Sequence, residues 1–239
     1  MVQVFTLSSE HYEKIAIVDD DSDSRESLAF LVEDAGFDPV LIEGKFGSNK
    51  QKLIDQIKAH KVYGVISDHR LTHGKLANFF GSELLATLYD IKMPSILITQ
   101  FLDVDADTSI RRYRDKLPAV IGRGHQKPEM LSKLIEFSKN ELLIGPSATR
   151  KPHRAIIRID DLNSYSEDGT IEGIITNWNS DTKIRFPSDI VPENILKQLD
   201  RVNTNRLMAF VNTGANNRED IFITDIHLAP SFEGLDGLD

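Results

Sequence analysis

Apolar residues fall in two patterns along the first half of the chain. Short unbroken runs, Ile15-Ala16-Ile17-Val18, Pro39-Val40-Leu41-Ile42, Val65-Ile66-Ser67, Ser95-Ile96-Leu97-Ile98 and Ala119-Val120-Ile121, have the length and continuity of strands buried on both faces. Between them lie stretches of helical period. Leu28, Leu31, Val32 and Ala35 form a stripe, with Asp23 and Glu26 as a capping box in front and Gly36 behind. Leu53, Ile54 and Ile57 form a second stripe capped by Ser48, and Leu84, Leu85 and Leu88 a third opened by Gly81-Ser82. Asp105 to Tyr113 predicts a weakly amphipathic polar helix, and Pro128 stands at the first position of a last helix carrying Leu131, Leu134, Ile135 and Leu142. Strands alternating with helices predict an α/β fold with a doubly wound, five-stranded parallel sheet. One loop, Leu71 to Phe80, is long for a connection of this kind.

The pattern changes after Gly145-Pro146-Ser147-Ala148-Thr149-Arg150-Lys151-Pro152, whose composition is that of a linker. Alternating Ile-rich and aromatic strands are expected over 154–160, 170–178, 182–187, 206–212 and 220–228, with a helix over 192–200. Three strands, a helix and two strands predict a small OB-like β-barrel. The expected division is 1–144, a linker over 145–153, a β-domain over 154–230, and a disordered acidic tail over 231–239; residues 1–12 read as a lead-in.

Composition narrows the classes. The 239 residues have no cysteine, which excludes disulfides, thiolate catalysis and cysteine-bound zinc. No apolar run approaches the ~20 residues of a membrane helix, and Met1 to Glu10 lacks the basic-then-apolar layout of a secretory signal, so a cytosolic protein with no membrane partner is expected. The formal net charge is −9, shared by both halves, which disfavours nucleic acid as a partner. In the second half Trp178, Phe186, Phe210 and Phe222, with Arg154, Arg158, Lys183, Arg185 and Arg206, are the residues that would stack and hold a single strand. Core filling is the expected role of those aromatics in a domain so small, and a protein partner is the expected occupant of the β-domain.

Candidate chemistry lies where the apolar runs stop. The first run ends in Asp19-Asp20-Asp21, the third in Asp68, the fourth in Thr99, and Lys127-Pro128 follows the fifth. In parallel sheets ligands bind outside the carboxyl ends of the strands, so these residues are expected to share one crevice. His69 and His73 read as solvated loop histidines, lacking a third nitrogen to complete a metal site with Asp68.

Four pieces in this order, at the ends of successive strands, resemble the receiver domain of two-component response regulators over about residues 12–143. The resemblance implies a flavodoxin-like receiver fold with strand order 2-1-3-4-5 and phosphoryl transfer to Asp68 from a histidine kinase or phosphotransfer protein. It further implies Mg²⁺ held by Asp20, Asp68 and the Arg70 main-chain carbonyl, with Asp19 beside them or acting through water. Lys127 would pair with one phosphoryl oxygen and Thr99 would hydrogen-bond another. The chain departs from the family in three places. Thr72 stands where a proline is usual, the interval from Thr99 to Lys127 is long, and Gly124 replaces the aromatic three residues before the lysine, which puts the usual aromatic relay in question. A phosphate sink without output, and a receiver-shaped scaffold that is never phosphorylated, are the alternatives. A metal-dependent phosphohydrolase is disfavoured, because Arg70 stands where such enzymes carry a second acid. The oligomeric state stays open, a dimer included.

Overall fold

A computed structural model of the chain describes residues 12–159, 169–199 and 206–230. The lead-in expected before residue 12 and the tail expected over 231–239 lie outside the described residues. Among the described residues ten strands form two sheets. The first is parallel, built from β1 (Lys14–Val18), β2 (Asp38–Leu41), β3 (Gly64–Asp68), β4 (Ser95–Thr99) and β5 (Ala119–Gly122) in the order β2-β1-β3-β4-β5. The intervening helices are α1 (Ser22–Asp34), α2 (Lys50–Ala59), α3 (Gly81–Asp90), α4 (Leu102–Asp107) and α5 (Pro128–Ile144).

Side-chain alternation along the strands divides the core in two. Ile15, Ile17, Ile66, Ile96 and Ile98 pack with Leu28 and Val32 of α1 and Leu131 and Ile135 of α5. The intervening Ala16, Val18, Val65 and Leu97 meet Leu53, Ile54 and Ile57 of α2 and Leu84, Leu85 and Leu88 of α3. Each such fully buried Leu or Ile contributes about 1.5–3 kcal/mol through apolar burial. Because both faces are covered, the strands show no polar alternation, which is why they stood out as plain apolar runs.

Local signals shift by a residue or two. Asp21, not Asp23, caps α1, its carboxylate accepting the Ser24 amide at 2.7 Å. Asn49, not Ser48, caps α2 through the Lys52 amide at 3.0 Å. The polar helix expected over 105–113 is instead α4, broken at Thr108 (φ −120, ψ −95) and followed by a 3-10 helix at Arg111–Lys116. The Leu71–Phe80 loop is packed, with Leu71, Leu76, Ala77 and Phe79 buried and Ala77 bridged to Gly47.

The second sheet is antiparallel, formed by β6 (His153–Ile159), β7 (Thr170–Ile175), β8 (Lys183–Pro187), β9 (Arg206–Val211) and β10 (Ile223–Leu228). Its order is β10-β9-β6-β7-β8, so β8 and β10 are edges, and among the described residues nothing pairs them into a closed barrel. It is a curled half-barrel, open where an OB-like barrel would close. The inward residues Ala155, Ile157 and Ile159 of β6 and Leu207, Ala209 and Val211 of β9 meet Phe186 of β8 and Ile195 and Leu199 of α6 (Glu193–Leu199). Phe186 and Phe222 are buried and the Trp178 indole N–H donates to the Ala215 carbonyl at 2.7 Å, so these aromatics build the domain; Phe210 keeps an exposed face.

The 3-10 helix at Arg111–Lys116 packs against both edge strands, β8 and β10. Arg111 is fully buried there, donating to the main-chain carbonyls of Arg185 (3.3 Å), Arg218 (2.8 Å) and Ile221 (2.5 Å) and pairing with Asp107 at 3.0 Å. Arg114 reaches the Asp220 carboxylate at 2.8 Å, and burial brings its guanidinium pKa down to about 10. Within the stretch expected as a linker, Arg150 is buried against Glu141, with nitrogen–oxygen distances of 2.7 and 3.1 Å. Five carbonyl or carboxylate partners from one sheet unit or the other are thus satisfied by arginines of the 3-10 helix and of the connecting stretch.

Candidate acidic crevice at the sheet edge

Strand order reverses between β1 and β3, and the chain leaves both strands at the same edge. That places Asp19 and Asp68 side by side at the switch point of the sheet. Asp68 ends β3, Asp19 follows β1, Thr99 ends β4, and Arg123 follows β5, its amide continuing the ladder to the Thr99 carbonyl at 2.7 Å. Together with Asp20 and Arg70 they line an open crevice of about 360 Å³. Two close approaches shape its walls. A Cβ on Gly81 would lie 1.9 Å from the Asp68 carbonyl oxygen, and one on Gly74 would lie 2.0 Å from that of Asp20, so only glycine fits at either position.

One nitrogen organises the charges. Arg123 Nη2 lies 2.8 Å from Asp19 Oδ2 and 2.5 Å from Asp68 Oδ1, bridging two buried carboxylates. The second oxygen of Asp68 accepts the Arg70 amide at 2.7 Å. Burial pushes the Asp68 carboxyl up from its ordinary range and Asp19 adds to the rise, with Arg123 working against both. Burial also opposes the charge on Arg123, yet its bonds to Asp19 and Asp68 prevail and raise its pKa. Asp20 lines the crevice but its Oδ2 accepts the Gly74 amide of the packed loop at 2.5 Å. Among the described residues no group of three or more acids, histidines or cysteines is placed to hold a metal ion.

Thr99 is committed elsewhere. Its hydroxyl donates to Asp105 Oδ2 of α4 at 2.5 Å and accepts the Phe101 amide at 3.2 Å. The Arg70 guanidinium pairs with the other oxygen of Asp105 at 2.7 Å and lies over the Phe101 ring.

Of the residues expected from the sequence, Asp19, Asp20, Asp68, Arg70 and Thr99 come together and Lys127 does not. Lys127 is the exposed N-cap of α5, several residues beyond the strand, and the cation at Asp68 is Arg123. The reason is local. β5 stops at Gly122, so Arg123 is the first side chain past the edge, and Gly124 (φ +91) then turns the chain away. Position alone could have found it, since Asp19 stands in the same relation to β1. His69 also differs from expectation. It is fully buried, its ring stacked on Phe80 and its Nε2 2.7 Å from Ser109 Oγ, and burial holds its pKa down at about 4. His73 is exposed on the crevice rim.

The chain matches no known family model, and no curated protein matches it in sequence. Solved structures are similar over its N-terminal part. A response regulator receiver domain protein from Clostridium thermocellum is 20% identical over 55% of this chain and 99% of its own, with a TM-score of 0.43. The signal receiver domain of an HD domain-containing protein from Pseudomonas fluorescens Pf-5 is 13% identical over 59% and 96%, with a TM-score of 0.43. Full-length FixJ from B. japonicum is 21% identical over 57% and 62%, also with a TM-score of 0.43. Among the described residues no helix is long and apolar enough to cross a membrane.

Proposed function

We propose that this protein is a receiver-type signalling protein that accepts a phosphoryl group on Asp68 from a phosphohistidine donor and carries that state to its β-domain. The observation that supports it most is the carboxylate pair at the switch point. Asp68 is buried enough to favour loss of its charge, it faces an open crevice, and it is balanced by one guanidinium shared with Asp19. A carboxylate held this way is a nucleophile whose negative charge has been compensated in advance.

The donor chemistry of Asp19, Asp20 and Asp68 is all hard oxygen, which suits Mg²⁺, and Arg123 Nη2 occupies the position between Asp19 and Asp68. These oxygens would hold the ion only once that guanidinium moves aside and the carboxylates draw together around it. When bound, Mg²⁺ would offset the repulsion between the acids and an incoming phosphoryl group. The protein's own part follows from its geometry. An Asp68 oxygen attacks phosphorus as the bond from phosphorus to the donor imidazole breaks, and the imidazole leaves with the electron pair. Arg123, freed from the carboxylates, is close enough to pair with phosphoryl oxygens, and its planar fork can do so through two nitrogens. Thr99 supplies a hydroxyl to a third oxygen when it lets go of Asp105.

A second reading is favoured by the same guanidinium. If Arg123 stays in place, it is a permanent internal counter-ion, and the protein is an unphosphorylated scaffold acting through its surfaces. Incubation with a small phosphoramidate donor and Mg²⁺, followed by intact mass measurement, separates the two. The acceptor reading expects one added phosphoryl group that is absent in Asp68→Asn. No adduct with small donors or with histidine kinases, in a protein that also binds no Mg²⁺ by calorimetry, would leave the scaffold.

A further inference from the structure

Asp105 has two partners, and both face the crevice. Its carboxylate is buried in α4, where Thr99 donates to one oxygen at 2.5 Å and Arg70 to the other at 2.7 Å. Thr99 and Arg70 also line the space in front of Asp68. A hydroxyl has one proton to give, so Thr99 cannot serve a phosphoryl oxygen and Asp105 at once. The Arg70 guanidinium is similarly drawn by any new anion on Asp68. Filling the crevice therefore strips a buried carboxylate of its partners, a state that buried polar groups escape by moving.

Movement of Asp105 cannot stay local. Two residues on, Asp107 is buried at the end of α4 and pairs with Arg111 at 3.0 Å, with Arg218 at 3.7 Å on its other oxygen. Arg111 in turn holds main-chain carbonyls of β8 and of the turn around Arg218 to Ile221. Ser109, between them, carries the second tie to the sheet edge through His69. One short segment, Phe101 to Lys116, thus lines the crevice with Phe101, holds two crevice-lining residues through Asp105, and seats α4 and the 3-10 helix against the half-barrel.

We propose that Asp105 is the positioning residue of the crevice, and that its carboxylate ties occupancy at Asp68 to the seating of Arg111 in the β-domain. This rests on the acceptor reading for what fills the crevice, but not for the tie itself. An acid on α4 competes with the bound anion for Thr99 and Arg70.

Hydrogen–deuterium exchange on the full chain tests it, with beryllium fluoride and Mg²⁺ as probe and its ¹⁹F resonance reporting whether the crevice has taken it. In the wild type the probe is expected to speed exchange about fivefold or more in peptides covering Arg111–Lys116 and Arg218–Ile223, the low end of coupling between linked sites. Asp105→Ala is expected to show the faster exchange without probe and no further change with it. Asp105→Asn keeps an acceptor for Thr99 and is expected to restore a reduced probe response, which a merely structural loss would not. Thr99→Val, which removes only the donated hydroxyl, supplies the same comparison if Asp105→Ala does not fold. A bound probe with unchanged exchange at Arg111–Lys116 overturns the inference, as does wild-type exchange in unliganded Asp105→Ala and Thr99→Val. If the probe does not bind, the acceptor reading fails, and the unliganded variants still decide the tie.

Discussion

Replacing Arg123 with methionine removes one positive charge from between two buried carboxylates while keeping an unbranched side chain in the space. Each carboxylate sits within 2.8 Å of the bridging nitrogen, and the arginine side chain is only 27% exposed. Breaking a buried ion pair by deleting one partner costs about 3–5 kcal/mol, and partial access of water to this site argues for the lower end, about 3 kcal/mol at neutral pH. For a protein of this length that is on the order of 6–12 °C in Tm. The same change clears the position between Asp19 and Asp68 for a divalent cation. Arg123→Met is therefore expected to bind Mg²⁺ at least about tenfold more tightly than the wild type, which is about 1.4 kcal/mol of extra stabilisation by the ion.

Scanning fluorimetry with and without saturating MgCl2, at pH 7 and again near pH 4, reads all of these effects. The deficit of Arg123→Met should shrink at the lower pH, because an Asp68 carboxyl whose pKa is raised by burial loses its charge early on acidification and no longer needs the guanidinium. Lys127→Met, at an exposed helix cap, should stay within about 0.5 kcal/mol of the wild type in every condition. An Arg123→Met protein as stable as the wild type at pH 7, with an equal response to Mg²⁺, would refute the assignment of Arg123 as the counter-charge.

Asp68→Asn should be more stable than the wild type at pH 7, by a margin that falls as the pH drops towards 4. The folded-state pKa of Asp68 is raised above its unfolded value, so stability is lost as pH rises through it, and thermal melts across that range check the sign. His69 works the other way, because its folded-state pKa of about 4 lies below the unfolded value of 6.5. Between those two pH values the wild type should lose on the order of 3 kcal/mol that His69→Gln does not, read from denaturant midpoints at several pH values. Arg111→Met leaves Asp107 and three carbonyls without their donor and should cost about 3–5 kcal/mol, with limited proteolysis showing the β-domain as the part released first.

The parallel sheet was legible because strands buried on both faces must be apolar throughout, and Asp19, Asp68 and Thr99 were legible because polarity returns where such a strand meets the edge. Arg123 was missed because Lys127-Pro128 has the look of a motif, while Arg123 has only its position, one residue beyond β5. His69 was misread because the strand was ended one residue early; with Asp68 still in the ladder, the next side chain turns inward against Phe80. The helix expected over 105–113 broke because Asp105 and Asp107 take their partners from outside it, Thr99 and Arg70 on one side and Arg111 and Arg218 on the other. Nothing in the sequence marks Arg111 as buried, since most of its acceptors are main-chain carbonyls more than seventy residues away. The expected barrel stays open for a related reason: the 3-10 helix packed between β8 and β10 comes from the other half of the chain.

Two sets of arginines divide the work in this acidic chain by what they bind. Arg70 and Arg123 meet carboxylates at an open crevice, so their positions depend on the charge present there and can be claimed by a competing anion. A phosphoryl group adds about −1.5 to −2 charges, enough to redirect both. Arg111 and Arg150 mostly meet neutral carbonyls or a buried acid, where no competitor enters and only geometry matters. The first set can register an event and the second can hold a docked domain in one register. Asp105 and Asp107, two residues apart on α4, join one set to the other, which makes that single turn of helix the place where a change of charge becomes a change of position.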